Sequence, residues 1–113
     1  MTEQREEALK RIEAARAGGH DTLDLSGLGL TSVPPEIGQL TELTELDLSG
    51  NQLTSLPSEI GQLAELTELN LYGNHLALLP PEIWRLTKLE HLSLGGNELV
   101  KWSRGFEQLT VYM

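Results

Sequence analysis

Residues 40–86 read LTELTELDLSGNQLTSLPSEIGQLAELTELNLYGNHLALLPPEIWRL, a stretch that nearly repeats itself once along its length. Leu43, Leu66 and Leu89 lie 23 residues apart and open the frame LxxLxLxxNxLxxLPxxIxxL, which describes three consecutive units with few departures. Such a period is typical of a solenoid, in which no unit buries its own leucines and neighbouring units must stack. The frame gives about four units, roughly 20–42, 43–65, 66–88 and 89–111.

The first unit is degenerate, because His20 takes its first leucine position and Leu28 takes its asparagine position. The other positions of this unit keep the pattern. The replacement of the amide by Leu28 suggests that the unit packs against an apolar neighbour of another kind.

The residues before the first unit have a helical pattern that ends at Gly18-Gly19. The apolar stripe of this segment consists of Ala8, Leu9, Ile12 and Ala15. Since the open end of a solenoid exposes leucines, we expect a helix within residues 1–19 that caps the repeats of residues 20–113. A helix that binds a partner is the alternative.

The pattern of leucines and asparagines resembles the leucine-rich repeat (LRR) family over residues 20–111. The resemblance implies an α/β fold: a right-handed solenoid with one short strand per unit and a parallel sheet on its concave face. Leucines at positions 46 and 48 agree with it, because alternate residues of a strand point to the same side. We therefore expect a capping helix and about four stacked units, the last without a clear cap.

An asparagine follows each of the three regular strands, at Asn51, Asn74 and Asn97. The chain turns inward there and buries backbone N–H and C=O groups that need partners. A side-chain amide both donates and accepts hydrogen bonds. The three residues are therefore expected to form a buried structural ladder rather than a catalytic or ligand site.

The charge of the chain is unevenly distributed. Its net charge is −9, and residues 17–84 contain ten acidic residues but neither lysine nor arginine. An acidic surface repels phosphate, which argues against nucleic acid and anionic membranes and favours a partner with a basic surface. The sequence has no cysteine, no apolar run long enough to span a bilayer and no secretory signal, which favours a cytoplasmic protein.

The residues that alternate with the strand leucines face the concave side and are the candidate binding surface. We expect the contacts to come from Asp24, Glu45, Asp47, Glu68, Asn70, Tyr72 and His91. Asp24 would lie beside Asp47 and Glu45 beside Glu68, and like charges opposed on neighbouring strands cost stability. The pattern leaves two interpretations open: a surface that binds a cation or a Lys- or Arg-rich partner, and a solvated acidic face without a ligand.

Trp84 and Arg85 form a second candidate interface, because the two preceding units have Gly-Gln at these positions. The flanking Ile83 and Leu86 fill core columns, so the pair is expected on the convex or lateral surface. A large exposed indole can mark an interface. Alternatively, the ring folds back over a neighbouring unit.

The sequence does not indicate an enzyme. In the repeat frame His20, His75 and His91 lie too far apart to share a metal ion, and no serine has a histidine base at triad geometry. The glycine turns lack the lysine of a phosphate-binding loop. We therefore expect no catalytic residue, no metal and no cofactor.

Residues 10–63 also resemble the repeat region of bacterial, notably cyanobacterial-type, Roco proteins, through the short helix, the LDLSGLGLT entry and the PPEIGQL unit. In that family the repeats precede a Roc GTPase and a COR dimerisation module, whereas this chain has no GTPase motif. The favoured function is a non-enzymatic protein-interaction module that binds a partner on its acidic concave face. The alternatives are a self-associating structural unit and a regulatory segment of a Roco-like GTPase.

The C-terminal end follows the frame to Tyr112, which falls in the first-leucine column 23 residues after Leu89. The sequence therefore predicts that the chain ends just before a fifth strand. The strand near residues 91–94 would be an open sheet edge, and no unit would cover the last core residues. These are Trp102, Phe106 and Leu109. We expect either a homodimer through the C-terminal end or the front part of a longer protein.

Overall fold

The computed structural model describes residues 2–99 and 110–113, and within them one helix precedes five short parallel strands. Helix α1 spans Thr2–Gly18, and strands β1 to β5 span Thr22–Asp24, Glu45–Asp47, Glu68–Asn70, His91–Ser93 and Thr110–Tyr112. Three 3-10 helices, Pro35–Gln39, Ser58–Gln62 and Pro81–Arg85, alternate with the strands and stack on one another. The strands pair in chain order. The predicted α/β solenoid with its parallel sheet is confirmed.

The leucines of the frame fill the space behind the sheet. The central residues of four strands align in register, namely Leu23, Leu46, Leu69 and Leu92. A second column, two residues further along the chain, is also buried and consists of Leu25, Leu48, Leu71 and Leu94. Each buried leucine contributes about 1.5–3 kcal/mol, and together they belong to one continuous core cluster. Strands of only three residues are therefore stable because the stacked units bury their leucines together.

Helix α1 closes the N-terminal end of the solenoid and contacts both β1 and the first 3-10 helix. Its buried face is formed by Ala8, Ile12 and Ala15. Arg11 Nη1 also donates a 3.0 Å hydrogen bond to the carbonyl oxygen of Asp24, at the outer edge of β1. The predicted capping helix is confirmed, although Leu9 of the apolar stripe is only partly buried.

The prediction that the chain ends before a fifth strand is wrong. Strand β5 pairs with β4 and places Val111 opposite Leu92. The step from Leu92 to Val111 is 19 residues, whereas the step from Leu69 to Leu92 is 23, so the last repeat is shorter. Val111 is a small apolar residue that suits the buried column, and Tyr112 consequently moves to an outward-facing position. The strand His91–Ser93 is therefore paired on both sides.

The outermost strand that the structure describes is β5 rather than β4. The residues expected to lack a covering unit, Trp102, Phe106 and Leu109, lie outside the described residues.

Candidate functional site

The parallel register places the outward-facing side chains of the sheet in two rows. The first row contains Glu45, Glu68 and His91, and the second contains Asp24, Asp47 and Asn70. Glu45 and Glu68 are exposed and directly opposed, while Asp47, Asn70 and His91 are half-buried. The outward positions of the five strands contain four carboxylates and neither lysine nor arginine.

Five of the seven predicted contact residues meet in a shallow concavity of about 400 Å³. These five are Glu45, Asp47, Glu68, Asn70 and His91. Asp24 lies outside the concavity on the first strand, and Tyr72 lies beyond the end of β3. Ser93, Tyr112 and the strand leucines Leu46 and Leu69 complete its lining. An open, polar concavity of this kind suits an extended protein surface better than a buried small molecule.

The two aspartates of the site have a structural task that the sequence analysis missed. Asp24 Oδ1 accepts hydrogen bonds from the backbone N–H and hydroxyl of Ser26, at 2.8 and 2.6 Å. Asp47 makes the same pair of contacts with Ser49, at 2.9 and 2.6 Å. Each aspartate belongs to an Asp-Leu-Ser triplet, and this pattern could have predicted the contact. An aspartate side chain commonly accepts a hydrogen bond from the backbone N–H two residues later in the chain. These side chains therefore shape the turn after each strand as well as charging the face.

The hydrogen bonds to Asp24 also keep it ionised. Those from the Ser26 hydroxyl and then from its backbone N–H lower the pKa of the Asp24 carboxyl, and the nearby Arg11 acts in the same direction. Burial opposes the shift but does not cancel it. The Asp24 carboxylate therefore stays ionised to a more acidic pH than an ordinary aspartate, and it extends the acidic field of the sheet toward the capping helix.

Tyr112 joins the concave face through His91. The Tyr112 hydroxyl lies 3.1 Å from His91 Nδ1, and the two rings stack with their centroids 5.9 Å apart. Sequence reasoning missed this residue because the 23-residue frame placed it in a buried column. The alternation in Thr-Val-Tyr, with one apolar residue between two amphipathic ones, was the only signal of a strand.

Tyr72 is exposed, as the concave prediction requires, but it leans away from the carboxylates. Its Cδ2 lies 3.1 Å from the position that a Cβ on Gly95 would occupy. A larger residue in place of Gly95 would displace the ring, so glycine at this position permits the ring to lie over the turn that follows β4.

A family model described as leucine-rich repeat region matches residues 22–110. The chain belongs to the leucine-rich repeat family. A leucine-rich repeat protein of Leptospira interrogans is 43% identical, with a TM-score of 0.73 over 78% of this chain and 22% of its own. The leucine-rich repeat domain of the type III effector XopL is 30% identical, with a TM-score of 0.71 over 82% of this chain and 33% of its own. A search among curated proteins finds no significant match.

This leucine-rich repeat chain spans about a fifth and a third of the length of those two structures. Leucine-rich repeat domains are generally protein-interaction modules, typically without enzymatic activity, and they use the extended concave surface that a solenoid creates. Within residues 2–99 and 110–113, no helix is long and apolar enough to cross a membrane. No group of three or more His, Asp or Glu side chains among the same residues has the geometry to hold a metal ion.

The asparagines of the leucine-rich repeat frame connect each unit to the one before it. Asn51 Nδ2 donates to the carbonyl oxygens of Leu25 in the preceding unit and Leu48 in its own, at 3.0 and 2.9 Å. Its Oδ1 accepts from two backbone N–H groups of the first unit. Asn74 and Asn97 repeat the two donations one and two units later. The amides thus satisfy backbone groups that the inward turns remove from water.

The third 3-10 helix presents Trp84 where its predecessors have glycine. A Cβ on Gly61 would lie 2.9 Å from the carbonyl oxygen of Glu82, so the earlier glycines allow close stacking of these helices. Trp84 is half-buried and packs partly against the leucine core, whereas Arg85 is exposed. Both residues lie away from the concave rows, so they would serve an interface separate from the acidic one.

Proposed function

We propose that this leucine-rich repeat module binds a partner protein with a basic surface on its acidic concave face. The observation that carries the proposal is the composition of the outward strand positions, which contain four carboxylates and neither lysine nor arginine. Such a surface attracts lysine and arginine side chains and accelerates encounter with a basic partner. Asp24, Asn70, Tyr72 and His91 flank the central acids and would complete the contact.

Glu45 and Glu68 are the central residues of the proposed contact. They are directly opposed on β2 and β3, and within the described part of the chain neither carboxylate makes a hydrogen bond or an ion pair. Paired strands lie about 4.8 Å apart, so one lysine or arginine can interact with both carboxylates. A partner cation would relieve the repulsion between the two carboxylates, and this relief would stabilise the bound state.

Charge reversal of this pair tests the proposal. We expect Glu45→Lys/Glu68→Lys to abolish capture of the partner from native lysate, while the melting temperature changes little, because the two lysines oppose each other as the two glutamates did and both positions are exposed. The matched control is Glu36→Lys/Glu42→Lys, which makes the same change of net charge at exposed positions away from the strands. Capture and thermal melts would be measured on all three proteins. Equal capture by the parent and the concave variant would contradict the proposal and direct attention to Trp84 and Arg85.

Self-association through the C-terminal end is the second candidate, and the outer edge of β5 favours it. Thr110 N–H donates to the carbonyl oxygen of Glu90 at 2.8 Å, and the Tyr112 carbonyl accepts from Leu94 N–H at 2.7 Å, so both bonds go to the residues that flank β4. Alternation along a strand then directs the N–H and C=O of Val111 outward. Among the described residues no further strand pairs with this edge, and unpaired strand edges are templates for pairing with another chain.

If two copies pair through this edge, light scattering across a dilution series will show a dimer that dissociates on dilution. Val111→Pro removes the outward N–H group without touching the bonds to β4, and it is expected to shift the equilibrium to monomer. A parent protein that remains monomeric at the highest concentration would reject the dimer.

The cytoplasmic location of the protein and its relation to Roco repeat regions stay predictions.

A further inference from the structure

The concavity of the sheet joins two kinds of side chain. Glu45 on β2 and Glu68 on β3 supply carboxylates. His91 on β4 and Tyr112 on β5 supply two rings, which we call the aromatic wall. All four residues line the same open space of about 400 Å³. A partner side chain that enters this space therefore meets acidic groups and aromatic rings together.

The aromatic wall is ordered by a polar contact and by partial stacking. The Tyr112 hydroxyl lies 3.1 Å from His91 Nδ1, and the two ring planes are inclined by 23°. The ring centroids are 5.9 Å apart, well beyond the contact distance of about 3.5–4 Å between packed carbon atoms, so the rings cover each other only in part. Tyr112 is also 50% exposed. Ring surface is therefore open to a ligand before any rearrangement.

The aromatic wall lies next to the acidic pair in the register of the sheet. Glu68 is paired with Glu45 on one side and with His91 on the other. Neighbouring strands are about 4.8 Å apart, and the Tyr112 hydroxyl reaches from β5 to the His91 ring. A planar cation held by the Glu68 carboxylate can therefore lie against the aromatic wall without leaving the concavity.

We propose that the concavity selects arginine over lysine in the basic partner, because a guanidinium pairs with the Glu45 and Glu68 carboxylates and stacks on the aromatic wall. The inference rests on the proposed function and specifies its partner. A guanidinium is planar, is more weakly hydrated than an ammonium and carries its donors in a fork that matches carboxylate geometry. An ammonium is compact and strongly hydrated, so it gains charge attraction from the carboxylates but less from the rings.

Other occupants fit the concavity less well. An apolar side chain would remove water from the Glu45 and Glu68 carboxylates without giving them a partner, which costs free energy. An anion would be repelled by the same carboxylates. An arginine satisfies the carboxylates and the rings at once. The contact between Tyr112 and His91 also restricts the rings before binding, which lowers the entropy that the partner must overcome.

Two synthetic peptides that differ in one residue test the selection. Acetylated and amidated GSGRGSGS and GSGKGSGS are titrated into the 15N-labelled protein at pH 8 and low salt, and their dissociation constants are obtained from the amide shifts. We expect the arginine peptide to bind about 2- to 5-fold more tightly, the range for one exposed cation–π contact. The δ-CH2 proton signals of its arginine are expected to move upfield, because these protons lie over ring faces.

Tyr112→Leu keeps an apolar side chain at this position but removes the ring. It is expected to abolish the preference for arginine and to leave the affinity for the lysine peptide unchanged, an outcome that a general loss of structure would not give. Tyr112→Phe retains a ring and is expected to retain the preference. The matched control is Tyr72→Leu, which removes a similarly exposed tyrosine (59%) that lies outside the concavity. It is also expected to retain the preference.

Equal affinities of the two peptides for the parent protein, or a preference that survives in Tyr112→Leu, would overturn the selection while leaving the basic-partner function intact. Loss of the preference in Tyr112→Phe would also overturn it, because the ring would then not be its source. Glu45→Lys/Glu68→Lys is expected to bind neither peptide, and binding by this variant would contradict both proposals. If neither peptide shifts the resonances of the parent protein, the acidic face does not receive cations and both proposals fail.

Discussion

Replacing Ile12 by aspartate is expected to lower the free energy of unfolding by about 3–5 kcal/mol, the cost of leaving a charge buried without a partner. Ile12 is 2% exposed and lies on the face of α1 that packs against the first repeat. A domain of this size has about 5–15 kcal/mol of stability in total. The variant should therefore unfold at a much lower urea concentration, measured by circular dichroism at neutral pH.

The control for this prediction is Ala14→Asp, which adds the same charge to the exposed side of the same helix. Its expected cost is below about 1 kcal/mol and comes from helix propensity alone. Equal unfolding curves for the two variants would mean that α1 leaves the repeats at little cost and does not act as a cap. A large difference would show that the first repeat depends on the helix, as Leu23 and Leu25 behind β1 suggest.

The sequence predicts the solenoid because its leucine pattern has only one good packing solution. A single unit has a few leucines and no second layer to cover them, so stacking follows from the hydrophobic effect. Alternation in the strands then decides which residues face outward, and the registers of Leu46 with Leu69 and Glu45 with Glu68 follow from equal unit lengths. The prediction was therefore accurate wherever the period held.

The prediction from the 23-residue period failed at the C-terminal end. The period predicts a strand only from the number of residues between units, whereas strand pairing depends on the geometry of the backbone. A loop can shorten without losing the next strand if an apolar residue still reaches the buried column, and Val111 does so opposite Leu92. The shift of register moved Tyr112 from the core to the concave face. One shortened repeat thus changed both the edge of the sheet and the membership of the candidate site.

The acidic surface was predictable in its position but not in its local bonding. Charge counting found the aspartates and glutamates alike, yet Asp24 and Asp47 also stabilise turns through Ser26 and Ser49. Glu45 and Glu68 make no such bond in the described ranges, so they are the better probes of binding. Side-chain hydrogen bonds depend on the backbone path after each strand, which residue spacing alone does not give.

Asn74→Ala is expected to lower the free energy of unfolding by about 1–3 kcal/mol, because buried backbone groups lose their partners. Asn74 is 2% exposed. Its Nδ2 donates to the carbonyl oxygens of Leu48 and Leu71, at 2.9 and 3.1 Å, and its Oδ1 accepts from Leu53 N–H at 3.1 Å. Alanine supplies none of these bonds, and the close packing around the side chain leaves little room for water to replace them.

Asn70→Ala provides the matched comparison, since it removes the same amide four residues earlier. Asn70 Oδ1 accepts a single hydrogen bond, from the N–H of Tyr72 at an exposed position where water can take its place. Its expected cost is below about 1 kcal/mol. Urea and thermal melts of the two variants would separate a buried ladder from a general preference for asparagine. Equal losses would mean that water reaches the inward turn at Asn74, and the amide would then be a surface contact rather than a link between units.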